Sequence, residues 1–163
     1  MSTAQQAADF IKAQEGFLSR AVWDVNAFRL GYGSDTITFP DGTYRNVVQG
    51  DTTTPEMATR DLARRIEKEF FPKVIKAVGL ETWNKLPDNS KIALTSLAYN
   101  YGRVKSTIAQ AAQTLNKQTL ADTLVKSTYN DNQSQPENVR EALRRRRRRE
   151  ADLILKGSEK KKC

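Results

Sequence analysis

"EGFLSRAVWDVNAFRLGYGSD", residues 15–35, is where the character of the chain changes. Before it, Ala7, Phe10, Ile11 and Gln14 follow helical spacing, and Ser2 with Gln5 forms a capping box at the start. Gly16 is a natural C-cap for that helix, which puts Glu15 at its C-terminus. After it, "AFRLGYG" and "DTITF" are short, β-prone and punctuated by glycine. "PDG" (40–42) reads as a turn and "TYRNVV" as a returning strand, so a hairpin-containing lobe is expected over about 15–50.

Helical patterning then takes over. Thr54 supplies an N-cap hydroxyl and Pro55 occupies the first helical position. Leu62, Ile66 and Phe70 form an apolar stripe that runs on to Val78, with Pro72 expected to bend or divide it. In "SKIALTSLAYNYG" the residues Ile92, Ala93, Ser96, Leu97 and Asn100 share a face. Further helices are expected near 106–116, 119–129 and 136–155. The layout is α+β: one domain over 1–156, with a small N-terminal β-containing lobe (about 15–50) and a larger helical lobe (about 54–155) on which the first helix packs. Residues 157–163 read as a polar, disordered tail.

Composition narrows the chemistry. The 163 residues are 38% hydrophobic and 28% charged, within the globular range, and no apolar run approaches the roughly 20 residues needed to cross a bilayer. The N-terminus lacks a basic start and a long apolar core, so no signal peptide is expected and synthesis is placed in the cytoplasm. Cys163 is the single cysteine, which excludes an internal disulfide, and histidine is absent. Without imidazole or clustered thiolates no metal site and no cofactor are expected, and acid–base chemistry rests mostly on carboxylates, with Tyr or Lys as poorer candidates. The net charge of +8 favours encounter with polyanions.

Glu15 and Asp24 are therefore the candidate catalytic pair. A carboxyl at a helix C-terminus faces the negative end of the macrodipole, which favours its protonated form, and Phe17 and Leu18 can add desolvation. Asp24, in a polar turn near Asn26, is placed to stay ionised. Two acids with opposite environments suit glycoside hydrolysis. Spacing alone leaves the commoner alternative open, a solvated helix-end acid and a turn former.

Four segments in register weigh against that alternative. Glu15-Gly16 after the helix, then Asp24, then "GYG" at 31–33, resembles the active-site start of the phage-type lysozymes, glycoside hydrolase family 24. "LPDNSKIALTSLAYNYG" is similar to the family's buried helix ending in Asn-x-Gly, here Asn100 and Gly102. "STIAQAAQTLN" and "VREALRRRRRREADLIL" resemble the two helices that follow in that family. The resemblance implies a lysozyme-like fold with a cleft between its lobes. It implies peptidoglycan as substrate, with Glu15 protonating the glycosidic oxygen and Asp24 activating water or stabilising the transition state. Gly31, Tyr32 and Gly33 would line the floor, and Asn100 would bind sugar. The chain departs from the family in three places: Arg29 where a water-holding threonine is usual, Ser34 where a histidine is usual, and one residue fewer between Asp24 and Gly31. Thr36 and Arg29 are the candidates for positioning water, with Thr38 a further source of a hydroxyl.

The resemblance implies a muramidase of the endolysin kind, expected to be monomeric, made in the host cytoplasm and acting on the cell wall. The alternatives are a lytic transglycosylase on the same bond, a wall-binding relative without catalysis, and a basic nucleic-acid-binding protein. The run Arg144–Arg149 motivates the last, but it carries no interleaved aromatics and its charges point all round the helix. Its inner members are expected to pack or pair with Glu141 and Glu150, and its outer ones to meet an anionic envelope. Trp23 and Trp83 are read as core or lobe-packing residues before sugar platforms, with Trp23, next to Asp24, the one of the two placed to touch a cleft.

Overall fold

The computed structural model describes residues 1–130 and 134–156, with Tyr129 and Asn130 described by backbone alone; the expected tail and Cys163 lie outside the described residues. The chain divides into two compact units, Met1–Glu69 and the part from Phe70 onward.

In the first unit, α1 (Thr3–Lys12) opens on the capping box, with Ser2 Oγ accepting from Gln5 N–H and Gln5 Oε1 accepting from Ser2 N–H. Its buried stripe is Ala4, Ala7, Ala8 and Ile11, and it packs on α2 (Pro55–Arg65), which is capped by Thr54. Gly16 is not the C-cap that its sequence position implies. Ala13 closes the helix in the right-handed region, and the N–H groups of Gln14 and Glu15 both turn back onto the Ile11 carbonyl. The chain has already left the helix before it reaches Gly16, which has no need of a left-handed conformation.

Between the helices lie two antiparallel hairpins: β1 (Leu18–Asp24) with β2 (Ala27–Gly31), and β3 (Thr36–Thr38) with β4 (Tyr44–Asn46). β1 carries no clean alternation because it is exposed along nearly its whole length, so sequence periodicity gives it no signal. Leu30, Ile37 and Val47 form the small core of these hairpins, with Ala21, Phe28, Phe39 and Met57 packed against it. Arg45 pairs with Asp51 at 2.7 Å; that hydrogen bond, helped by Val48 N–H, holds the Asp51 carboxyl down to about 2.

After α2 the backbone widens into a π-helical stretch, Ile66–Phe70, before α3 (Phe71–Val78). Pro72 lies in the first turn of α3, where its missing N–H costs little. The division expected at Pro72 thus falls just before it.

The second unit continues with α4 (Leu80–Lys85), α5 (Asp88–Tyr101), α6 (Ser106–Gln113), α7 (Lys117–Asn130) and α8 (Glu137–Leu155). α5 is buried on every side from Ile92 to Ala98, more fully than a one-face stripe implies. Trp83 is buried against Phe71. The arginine run resolves into distinct environments. Arg146 and Arg147 are buried, and Arg147 makes a bidentate pair with the fully buried Glu150, at 2.6 and 2.8 Å. Ser96 donates to the same carboxylate at 2.6 Å, so α5 and α8 are locked through one acid. Burial raises the Glu150 carboxyl, while Arg147, Ser96 and Arg146 pull it back. Arg144 pairs with Glu137 and Glu141, and Arg145 and Arg149 are exposed.

Two changes test this packing. Gly31 holds φ +59°, and a Cβ there would lie 2.8 Å from Ala58 Cβ. Gly31→Ala is expected to lower the unfolding free energy by about 2–4 kcal/mol in denaturant titration, from left-handed strain plus overpacking. Glu150→Ala strands the buried Arg147 charge and is expected to cost about 3–5 kcal/mol, more than replacing Arg147 and Glu150 together by Met and Leu.

Candidate active site

Glu15 sits at the exit from α1, partly buried, its backbone fixed by the 3.1 Å bond to Ile11. Three residues later β1 begins, and Asp24 is its last residue, so both acids lie in the first unit. The hairpin register pairs Val22 with Arg29, Trp23 with Phe28 and Asp24 with Ala27. Successive side chains alternate across a strand, so Asp24 and Arg29 share one face of the hairpin and Trp23 and Phe28 the other. Trp23 is 59% exposed, not the core residue its type implies, and meets Phe28 edge-on, with centroids 5.2 Å apart, on the face away from Asp24. Arg29 Nε stands 3.5 Å from Asp24 Oδ2, and its Nη1 donates to the Gly33 carbonyl at 3.3 Å.

The turn beyond Asp24 is strained. Val25 holds φ +56°, and the Asn26 N–H closes onto the Asp24 carbonyl at 2.5 Å, a three-residue turn that a β-branched side chain disfavours. The turn is held because the Asp24–Ala27 pair leaves only two residues to reverse the chain.

The glycine-rich segment is a second tight turn. Leu30 and Ser34 exchange two backbone hydrogen bonds of 3.0 Å, closing residues 31–33 into a loop. Gly31 is buried against Ala58, so its lack of a side chain serves the contact with α2. Gly33 is exposed, and Tyr32, partly buried, tilts against Phe17 at 5.4 Å between centroids.

Thr36 is buried, and its hydroxyl donates to Asp61 at 2.9 Å while accepting from Arg64 at 3.1 Å. Thr38 does the same, at 2.6 and 2.8 Å, and Ser34 donates to Asp61 at 2.5 Å. Three hydroxyls on one face of the extended segment 34–38 thus converge on one buried carboxylate. Arg64 stacks 3.7 Å above the Tyr44 ring, and Arg65 reaches Ser34 Oγ at 3.3 Å. Sequence reasoning missed Asp61, although a signal was present. It stands on the apolar stripe of α2 between Ala58 and Leu62, and Ser34, Thr36 and Thr38 repeat with the period of a strand.

In the second unit, Asn100 lies in the last turn of α5, which Gly102 closes in the left-handed conformation. The Asn100 Oδ1 atom is buried and accepts no hydrogen bond among the described residues. No group of histidine, cysteine, aspartate or glutamate among the described residues could hold a metal ion, and no helix among them is long and apolar enough to cross a membrane.

Two hairpins and a mostly helical remainder define an α+β protein. The same fold is seen in the P1 phage endolysin Lyz in its active form, at TM-score 0.66 and 21% identity, covering 94% of this chain and 85% of that one. It is also seen in a P22 phage lysozyme variant (TM-score 0.69, 23% identity, 92% and 95% covered) and in the muramidase domain of SpmX from Asticaccaulis excentricus (0.64, 20%, 92% and 95%). No curated protein matches the chain in sequence. The phage lysozyme family profile matches residues 12–150, and the chain belongs to that family. Membership brings a glycosidase-type activity that cleaves peptidoglycan in the bacterial cell wall.

Val25 tests the turn that carries Asp24. It is 88% exposed, so truncation removes no packing. Val25→Gly is expected to raise the unfolding free energy by about 1 kcal/mol, strain relief exceeding the entropy that glycine adds to the unfolded chain.

Proposed function

We propose that the chain is a muramidase hydrolysing the β-1,4 bond between N-acetylmuramic acid and N-acetylglucosamine, with Glu15 as general acid and Asp24 as its partner. The observation that carries this reading is the contrast between the two acids. Glu15 is partly buried and held by a fixed backbone. Asp24 is 62% exposed in its side chain and stands beside a guanidinium. Two carboxyls in unlike surroundings are what a glycosidase divides between proton donor and anionic partner. In a chain without histidine, carboxyls are also the fitting donors for this chemistry.

Glu15 gives its proton to the glycosidic oxygen as the bond to the anomeric carbon breaks. Asp24 faces the positive charge that develops there and directs water to the same carbon; the water's proton leaves to a carboxylate. The Thr36 hydroxyl is committed to Asp61 and Arg64, so positioning of that water falls to Arg29, whose donors lie beside Asp24. The exposed Arg145 and Arg149 add a general attraction to anionic envelope polymers. Buried Arg146 and Arg147 are used inside the fold, which weakens the case for a nucleic-acid surface.

The test is cleavage of purified peptidoglycan by Glu15→Gln, with circular dichroism and thermal unfolding showing that the fold is kept. Removing a general acid is expected to cut the rate by about 100- to 10,000-fold. Full activity in a folded Glu15→Gln would contradict the assignment.

A further inference from the structure

Asp61 is 2% exposed on the buried side of α2, and no step of the proposed cleavage uses it. Its contacts nevertheless lead toward Asp24, all within the first unit. Ser34 donates to Asp61 Oδ2 at 2.5 Å, and Ser34 is also the residue whose two backbone bonds to Leu30 close the 31–33 loop. Inside that loop the Gly33 carbonyl accepts from Arg29 at 3.3 Å, and Arg29 stands 3.5 Å from Asp24. The first of these links is buried, where a lost hydroxyl is not replaced by bulk water. Thr36 and Thr38 bind the same carboxylate from β3, on the other side of Ser34 from the loop.

We propose that Asp61 is a positioning residue for cleavage. By holding Ser34 it fixes the 30–34 turn, the turn aims the Gly33 carbonyl, and that carbonyl keeps Arg29 against Asp24. The proposal rests on the reading of Asp24 as the second working carboxylate. A side chain displaced by about an ångström can slow an enzyme by up to about a hundredfold, so a loosened anchor has a measurable effect.

Ser34→Ala and Thr38→Val each take one hydroxyl from Asp61, and only the first touches the turn. On soluble peptidoglycan fragments, Ser34→Ala is expected to lower kcat about tenfold with KM held within about twofold. Thr38→Val is expected to lose stability and keep kcat, and Ser34→Thr, which retains the hydroxyl, to recover most of the rate. In an Arg29→Gln background, Ser34→Ala should add no further loss, because the contact it supports is already gone. The proposal is overturned if Ser34→Ala turns over like the parent, if Ser34→Ala and Thr38→Val lower kcat alike, or if the Ser34→Ala loss multiplies onto that of Arg29→Gln. Should Ser34→Ala not fold, Ser34→Cys, which keeps the volume and weakens the hydrogen bond, is read by the same criteria. Asp24→Asn separates the two readings. Parent-like kcat there ends the assignment of Asp24 and this proposal with it. Loss there beside full activity in Ser34→Ala ends this proposal alone.

Discussion

One buried carboxylate governs the first unit. Asp61 lies on the apolar side of α2, where an unanswered charge would cost several kcal/mol, and three hydroxyls from residues 34, 36 and 38 answer it. Each of those hydroxyls in turn accepts from a donor, Arg64 for the two threonines and Arg65 for the serine. The arrangement fixes register as well as charge. A slip of one residue in β3 would turn Thr36 and Thr38 away and present Ile37 to the carboxylate. Ser34, held by the same carboxylate, fixes the turn before β3, where Gly31 comes close enough to Ala58 that only glycine fits.

The second unit uses the same device. Glu150 is fully buried in α8 and is met by Ser96 of α5 and by Arg147. In both units a buried acid is satisfied by a hydroxyl from another element and has arginine beside it. Such pairs add little net stability compared with apolar residues of the same volume, but they penalise any other arrangement. That penalty holds a β lobe with a core as small as Leu30, Ile37 and Val47 in one conformation.

Much of the architecture was legible in the sequence because it depends on local chemistry. Ser2 with Gln5 and Thr54 with Pro55 cap helices by rules that need no tertiary contact, and the structure places α1 and α2 where those signals stand. The order of hairpins and helices followed from changes in hydrophobic period. Features set by distant partners were less legible. Gly16 looked like a helix cap, yet the Ile11 carbonyl had already gathered the closing N–H groups. β1 was hidden because an exposed strand has no apolar alternation to read. Thr36 looked available to hold water, because nothing nearby in sequence shows that a carboxylate 25 residues away claims its hydroxyl. Arg29 stood out only as a departure from a family pattern, and its place beside Asp24 depends on the hairpin register.

The candidate site therefore differs from its expected form mainly around the water. Family membership carries peptidoglycan cleavage, and the two candidate acids stand in unlike surroundings, Glu15 partly buried and Asp24 exposed. Thr36 is bound to Asp61, and the guanidinium of Arg29 stands 3.5 Å from Asp24. The central claim is that water, and not a hydroxyl of the substrate, completes the reaction at the muramic acid carbon. The most direct measurement is digestion of purified peptidoglycan in water enriched in heavy oxygen, with mass spectrometry of the products. The account predicts reducing N-acetylmuramic acid ends, each carrying one heavy oxygen. Anhydro-muramic ends without the label, or reducing ends on glucosamine, would contradict it.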